Sequence, residues 1–264
     1  MFSHPFVGPL VSLECGAHVA DIAVLGAHVV RWEHEGKNML WCASQRLEGK
    51  PYRGGIPVCW PWFGPHPTDA IQPAHGTARR REWNVVDVGA SQACFRLQEG
   101  DVEAVYSIKL TMEGLELVLT TTNQGSTPHT VSAALHTYLA VDNVAKVRIE
   151  GLEGTHYIDQ LDNDTMKPQH GPVTFAGEVD RVYQAGKAIV REGTRGVMVD
   201  SLGASASTVV WNPWVEKSAR LGDMTAEDYR HMVCVETAWA MNDARVIKPK
   251  QQATLKAVLT PISV

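Results

Sequence analysis

Val102, Ala104, Tyr106, Ile108, Leu110 and Met112 stand two apart, with Glu103, Ser107, Lys109 and Thr111 between them. Strand side chains alternate between two faces, so this spacing makes a strand with one face in a core and the other in water. Leu115, Leu117 and Leu119 resume the alternation after Glu113-Gly114, which predicts a hairpin. Similar short runs occupy 19–32, 39–42, 84–88, 93–98, 131–141, 146–149, 196–199, 208–211, 232–239 and 253–259, and Gly, Asn, Asp or Pro fills nearly every gap. Helical signals are few; Thr225 with Asp228 three residues on predicts one capped turn through His231. Such a chain is predicted to be all-β, a large antiparallel β-sandwich. With no linker, low-complexity tract or internal repeat, residues 1–264 read as a single domain.

Charge and composition narrow the function. Lys and Arg number 24 against 29 Asp and Glu, a net charge of -5, so no basic surplus exists to hold a nucleic-acid backbone or an anionic membrane surface. The start, MFSHPFVGPL, has no cationic stretch leading an apolar one, and no run reaches the roughly 18 apolar residues of a membrane span. A cytoplasmic location is the expectation. Cys15, Cys42, Cys59, Cys94 and Cys234 are odd in number and form no C-x-x-C pair, which predicts reduced, mostly buried thiols. The 11 His show neither H-x-x-x-H nor H-E-x-x-H spacing, so no metal is expected.

One loop-rich stretch, residues 52–83, concentrates polar and aromatic chemistry: YRGGIPVCWPWFGPHPTDAIQPAHGTARRREW. Gly54 and Gly55 permit positive φ or close backbone approach, and Pro57, Pro61, Pro65, Pro67 and Pro73 stiffen the loop. A stiff loop holds Arg53 and Arg79 at a fixed separation. Their planar forks suit phosphate or carboxylate, and Trp60, Trp62 and Phe63 offer apolar faces of the kind that stack on a sugar ring. The combination predicts a binding floor for a polar, ring-shaped, anionic small molecule. In the Arg79-Arg80-Arg81 run, Arg79 is read as functional and the other two as surface.

Two strands carry candidate proton-transfer groups. In 131–141, Val131, Ala133, Leu135 and Leu139 form the apolar face, which puts His136 opposite it with Ser132 and Tyr138. In 232–239, alternation places Glu236 with Cys234 and Ala238, a carboxylate inside an apolar run whose burial would raise its pKa and make it a better base. By spacing alone, a hydrogen-bonded structural His and an ion-paired Glu stand beside the catalytic readings. Trp211 and Trp214, around Asn212-Pro213, fit either a wall of the site or core packing at a turn.

The runs RGGIPVCWPWFGPH (53–66), AHGTAR (74–79), LHTYLAV (135–141), DRVY (180–183), WNPW (211–214) and VCVETA (233–238) resemble, in order and over most of the chain, the bacterial hexose-6-phosphate mutarotases, the glucose-6-phosphate 1-epimerase branch of the aldose 1-epimerase family. That resemblance implies a galactose-mutarotase-like β-sandwich that interconverts the α and β anomers of a hexose 6-phosphate without a cofactor. It implies His136 as general acid on the ring oxygen and Glu236 as general base on the anomeric hydroxyl. Arg53 and Arg79 match substrate-binding positions at or near the phosphate, Asp180 a residue that hydrogen-bonds the sugar, and His75 a His beside the ring. Thr77 replaces the aromatic residue many relatives carry in this motif, and Ala74 replaces a Gln found in some. The implied partner is a small sugar phosphate, with no nucleic acid and no membrane, and the chain is expected to be a monomer. Two other classes are compatible with the pattern: a sugar hydrolase using Asp180 and Glu236, and a non-catalytic carbohydrate-binding or regulatory protein of the same fold.

Overall fold

A computed structural model describes residues 3–203 and 207–263. Two antiparallel eight-stranded sheets dominate it. One runs in the order Arg148–Glu150, Lys187–Glu192, Arg195–Gly203, Gln252–Ser263, Leu115–Asn123, Val102–Leu110, Gln92–Glu99 and Asn84–Val88. The other runs Thr165–Pro168, His156–Asp159, Val179–Tyr183, Ser207–Asn212, Met232–Trp239, Ala133–Leu135 and Val58–Cys59, with Tyr138–Ala140 pairing separately onto Met232–Trp239. A five-stranded sheet formed by residues 3–38 flanks them.

Alternation assigns each strand's residues to a face. From the first sheet Ala104, Tyr106, Ile108, Leu115, Leu117, Leu119, Leu255, Ala257 and Leu259 point inward; from the second come Val179, Tyr183, Val210, Val233, Val235, Trp239 and Leu135. Together they form one continuous core, to which the flanking sheet adds Leu13, Ile22 and Trp32. The all-β antiparallel sandwich predicted from the sequence is what the chain forms.

The hairpin is present, with Leu110 paired to Leu115; Met112 sits in the turn and is exposed. The predicted turn is a 3₁₀ helix at Asp228–His231, but Glu227 precedes it and no side chain caps it; Thr225 is tied to it only through its backbone N–H, which donates to the Asp228 carboxylate at 2.7 Å. The stretch 131–141 departs from expectation. Strand pairing breaks at His136 and Thr137, because the N–H groups of His136 and Tyr138 donate instead to the carbonyls of Pro57 (3.1 Å) and Gly55 (2.9 Å). An α-helix at Trp214–Leu221 was not anticipated; it follows Pro213 and ends at Gly222 in the left-handed conformation, φ 74°. No helix among the described residues is long and apolar enough to cross a membrane.

Trp60 is not part of a binding floor. It is fully buried in the core, and its indole N–H donates to Thr121 Oγ1 at 2.9 Å. The cysteines are free, but only Cys59 and Cys234 are buried; the other three are half-buried. Replacing Trp60 with Phe keeps most of the apolar volume and strips Thr121 of its donor. We expect denaturant unfolding to report a loss of about 1–3 kcal/mol; a loss below about 0.5 kcal/mol, the range of a surface change, would contradict the core assignment.

Candidate active site

The second eight-stranded sheet has a dry face in the core and an opposite face that is polar at its centre. Val209 pairs with Glu236, Trp211 with both Asp180 and Cys234, and Tyr138 with Cys234. Paired residues share a face. Asp180, Val182, Val209, Trp211, Cys234, Glu236 and Tyr138 therefore lie on the side away from the core, and His136 joins them. A cavity of about 630 Å³ opens there, within the size range of small-molecule sites. Its lining includes all six residues singled out from the sequence: Arg53, His75, Arg79, His136, Asp180 and Glu236.

The RGG loop forms one wall of the cavity, through Arg53. Gly54 and Gly55 have φ of 106° and 62°, and a Cβ on either would fall 2.3 Å from the Cα of Cys42 or 2.2 Å from the carbonyl oxygen of Val29. Their freedom is spent on close crossing of other backbone, not on contact with a ligand. His28, fully packed beneath, has Nε2 2.7 Å from the Gly54 carbonyl, and burial holds it down at about 4. As the neutral ring it donates that hydrogen bond. The loop is thereby fixed, and its Gly55 and Pro57 carbonyls fix His136 and Tyr138 in turn.

His136 and Glu236 form the floor. Nδ1 of His136 is 3.3 Å from Oε1 of Glu236, and both residues are buried, 8% and 1% exposed. The Tyr138 ring stacks on the imidazole at 4.6 Å and 6°, while Trp211 and His75 meet it edge-on at 6.2 and 5.9 Å. Rings on several sides prevent the imidazole from swinging away. Burial pushes the Glu236 carboxyl well above the usual carboxylate range; the charge of Asp180 adds to this and Arg79 opposes it. Burial holds His136 well below an ordinary imidazole, reinforced by His75 and by the guanidiniums of Arg79 and Arg53. Both directions describe a pair that carries one proton between them, with no net charge.

Cationic groups gather at one end. Arg53 donates from Nε to Asp223 (2.8 Å) and from Nη1 to the Tyr138 hydroxyl (3.2 Å), which ties an arginine to the ring that covers His136. Arg79 donates one Nη2 bond to the Ala74 carbonyl at 2.9 Å and leaves a buried Nε–H without a partner. Both arginines also line an adjoining cavity of about 310 Å³, together with Lys50 and Arg80. Arg80 and Arg81 are exposed, as expected, and Arg81 pairs with Glu99. His75 has φ 63°, its Nδ1 accepts from the Gly64 N–H at 3.3 Å, and burial lowers it to about 3. It presents a neutral Nε2–H.

Asp180 sits at the other end. Its neighbour Arg181 is not its partner, because adjacent strand residues face opposite sides: Arg181 lies over the Tyr157 ring and donates to Gln169. Lys217, on the unanticipated helix, is 3.8 Å from Asp180 but 2.6 Å from Glu178. The closer Glu178 takes most of the ammonium, so burial wins and pushes Asp180 up to about 6, against the lowering by Lys217. Of the proposed aromatic floor only Phe63 lines the cavity; Trp62 donates its N–H to the Pro73 carbonyl outside it. Trp211 is a wall, whereas Trp214 packs on Tyr229. Sequence reasoning missed Lys217 and Asp223. The signal for Lys217 was the Pro213-to-Gly222 bracket of a short helix; Asp223 carries no signal in the sequence.

Known proteins share this chain's sequence pattern and fold. The family model described as aldose 1-epimerase matches residues 9–260. A protein of Escherichia coli strain K12 that carries the name "Putative glucose-6-phosphate 1-epimerase" is 33% identical over 247 residues, covering 88% of this chain and 83% of its own. The crystal structure of a Salmonella typhimurium protein, described as a "putative mutarotase", superposes with a TM-score of 0.86 at 26% identity over 97% of this chain and 90% of its own. A galactose mutarotase-like protein of Lactobacillus casei shares the fold, with a TM-score of 0.75 at 15% identity over 96% of this chain and all (100%) of its own. The sandwich is of the galactose-mutarotase-like type.

The Asp180 carboxyl gives a signed prediction. Its native value near 6 lies above the ordinary 3.8, so its contribution to stability is present below about pH 4 and is lost as pH rises through 6. Asp180→Asn cannot ionise. At pH 7 to 8 we expect it to be more stable than the wild type by about 1–3 kcal/mol, with the difference shrinking towards pH 4. Urea unfolding at several pH values measures this, and a difference that does not change with pH would contradict it.

Proposed function

Because the chain belongs to the aldose 1-epimerase family, we propose that it interconverts the α and β anomers of a hexose 6-phosphate, with glucose 6-phosphate the foremost candidate. The observation that carries this reading is a buried acid and base in contact, His136 beside Glu236, at the floor of a cavity whose one end presents Arg53 and Arg79. A binder of sugars has no need of a proton-sharing pair kept out of water, and the second basic cavity beyond the arginines suits a phosphate held away from the ring.

Glu236 takes the proton of the anomeric hydroxyl while His136 gives one to the ring oxygen, and the ring opens. Rotation about the C1–C2 bond follows. Reclosure with the roles exchanged gives the other anomer, and neither a cofactor nor a covalent intermediate is required. Opening needs the tautomer with the proton on imidazole, the form that the fields of Arg53 and Arg79 oppose. A phosphate dianion against those two guanidiniums cancels that opposition, so binding the correct substrate favours the working form of the acid. The neutral Nε2–H of His75 and the carboxyl of Asp180 are assigned to sugar hydroxyls. The family match across residues 9–260 supports reading the chain as one domain.

Exchange between anomers of glucose 6-phosphate, followed by NMR, tests the proposal. Glu236→Gln should stay folded and lose at least about 100-fold in rate, the lower end of what a positioned acid or base contributes. Arg79→Gln should raise KM for glucose 6-phosphate by roughly 10- to 100-fold, the range of a charged hydrogen bond, with little effect on glucose. Ligand binding without any acceleration of exchange would instead favour a non-catalytic sugar-binding protein.

A further inference from the structure

Cys234 has no part in the proton transfers, yet it belongs to the same cluster. It precedes Glu236 by two on Met232–Trp239, so alternation turns both to the face away from the core, and His136 enters from the neighbouring segment. An imidazole nitrogen of His136, Sγ of Cys234 and a carboxylate oxygen of Glu236 all lie within 4.8 Å of one another. All are buried: Cys234 and Glu236 are 0% and 1% exposed, and His136 is 8%. Oε2 of Glu236 has no hydrogen-bond partner, and Nδ1 of His136 meets only Oε1 of Glu236, at 3.3 Å. A buried polar atom left unpaired costs about 1–3 kcal/mol, so the free Glu236 oxygen marks a place where something else supplies the partner.

We propose that His136, Cys234 and Glu236 form a binding site for a thiophilic divalent cation of the zinc class, with the fourth position open to the cavity. Imidazole, thiolate and carboxylate are the three ligand types zinc takes from proteins, and an open fourth position is the pattern of its non-structural sites. Metal–ligand bonds of about 2.0–2.3 Å place tetrahedral ligand atoms roughly 3.3–3.8 Å apart. The cluster reaches that spacing with side-chain adjustments on the order of 1 Å. Magnesium and calcium, which take oxygen ligands, do not suit a thiol and an imidazole. Thiolate and carboxylate together balance the ion's charge, the thiol proton and the proton that His136 and Glu236 share both leaving to solvent on binding. Arg53 and Arg79 oppose a cation's entry and Asp180 favours it.

Spacing rules do not find such a site, since only the pair two apart, Cys234 and Glu236, is local and the third ligand arrives across a strand. The consequence is inhibition: the ion takes hold of both groups of the proton-transfer pair. That consequence rests on the proposed function; the binding itself does not.

Cobalt(II) titrated into the full chain tests the site without reference to activity. We expect a thiolate-to-cobalt charge-transfer absorption that saturates, is removed by a chelator, is displaced by zinc, and is absent in Cys234→Ser. Absence of that absorption from the wild type, or its persistence in Cys234→Ser, would overturn the site. Should Cys234→Ser not fold, Glu236→Gln serves, with cobalt affinity expected to drop by at least the roughly 10-fold that loss of an outer-shell partner costs, and unchanged affinity counting against the proposal. In the exchange reaction, zinc should slow the wild type reversibly and spare Cys234→Ser. A chain that accelerates no exchange but gives the cobalt absorption would refute the mutarotase reading and leave the metal site standing.

Discussion

The site depends on the two-residue alternation of one fully buried strand, Met232–Trp239. Val233, Val235 and Trp239 belong to the central core, while Cys234, Glu236 and Ala238 face the cavity side, and no residue of the strand reaches bulk water. A single register therefore decides both whether the sandwich packs and whether Glu236 meets His136. A slip of one residue would put the carboxylate in the core and valines on the floor, an arrangement penalised on both counts. Packing thus enforces the chemistry: the apolar contacts between the two large sheets hold a carboxyl where water cannot solvate its charge.

From that burial the electrostatics of the site follow. A carboxyl and an imidazole, each strongly resistant to charging alone, share a proton because the pair together is neutral. Arg53 is pinned by Asp223 and by the hydroxyl of Tyr138, whose ring stacks on His136, so the cationic end and the acid are one mechanical unit. An anion placed on that end acts on the proton-transfer pair through space and through the ring beneath it. The backbone contributes as well, since Gly54 and Gly55 cross other chain segments at distances no side chain tolerates and in doing so bring Arg53 over the floor.

Much of this was legible in the sequence, for a reason particular to strands. Period-two alternation identified the hairpin through residues 102–119, and the same alternation put Glu236 with Cys234 and His136 with Tyr138, the arrangement found. The six candidate residues converge on one cavity even though nearly 200 positions separate Arg53 from Glu236. What was illegible depends on contacts between distant segments. Trp60 read as a ligand platform because it sits among Trp62 and Phe63, and only its contact with Thr121 reveals a core residue. The break at His136 arises from carbonyls of a loop some 80 positions earlier, and the role of Asp223 from a partner 170 positions away. Asp180 and Arg181 look like an ion pair along the chain, yet strand geometry sends them to opposite faces.

The central claim is that an anion at Arg53 and Arg79 moves the shared proton towards His136. Nitrogen-15 NMR of the His136 imidazole, recorded near neutral pH with and without inorganic phosphate, tests it most directly. The account predicts a neutral ring in the free protein and shifts towards imidazolium as phosphate saturates, with the response lost in Arg79→Gln. A ring whose protonation is the same with and without bound phosphate would contradict it.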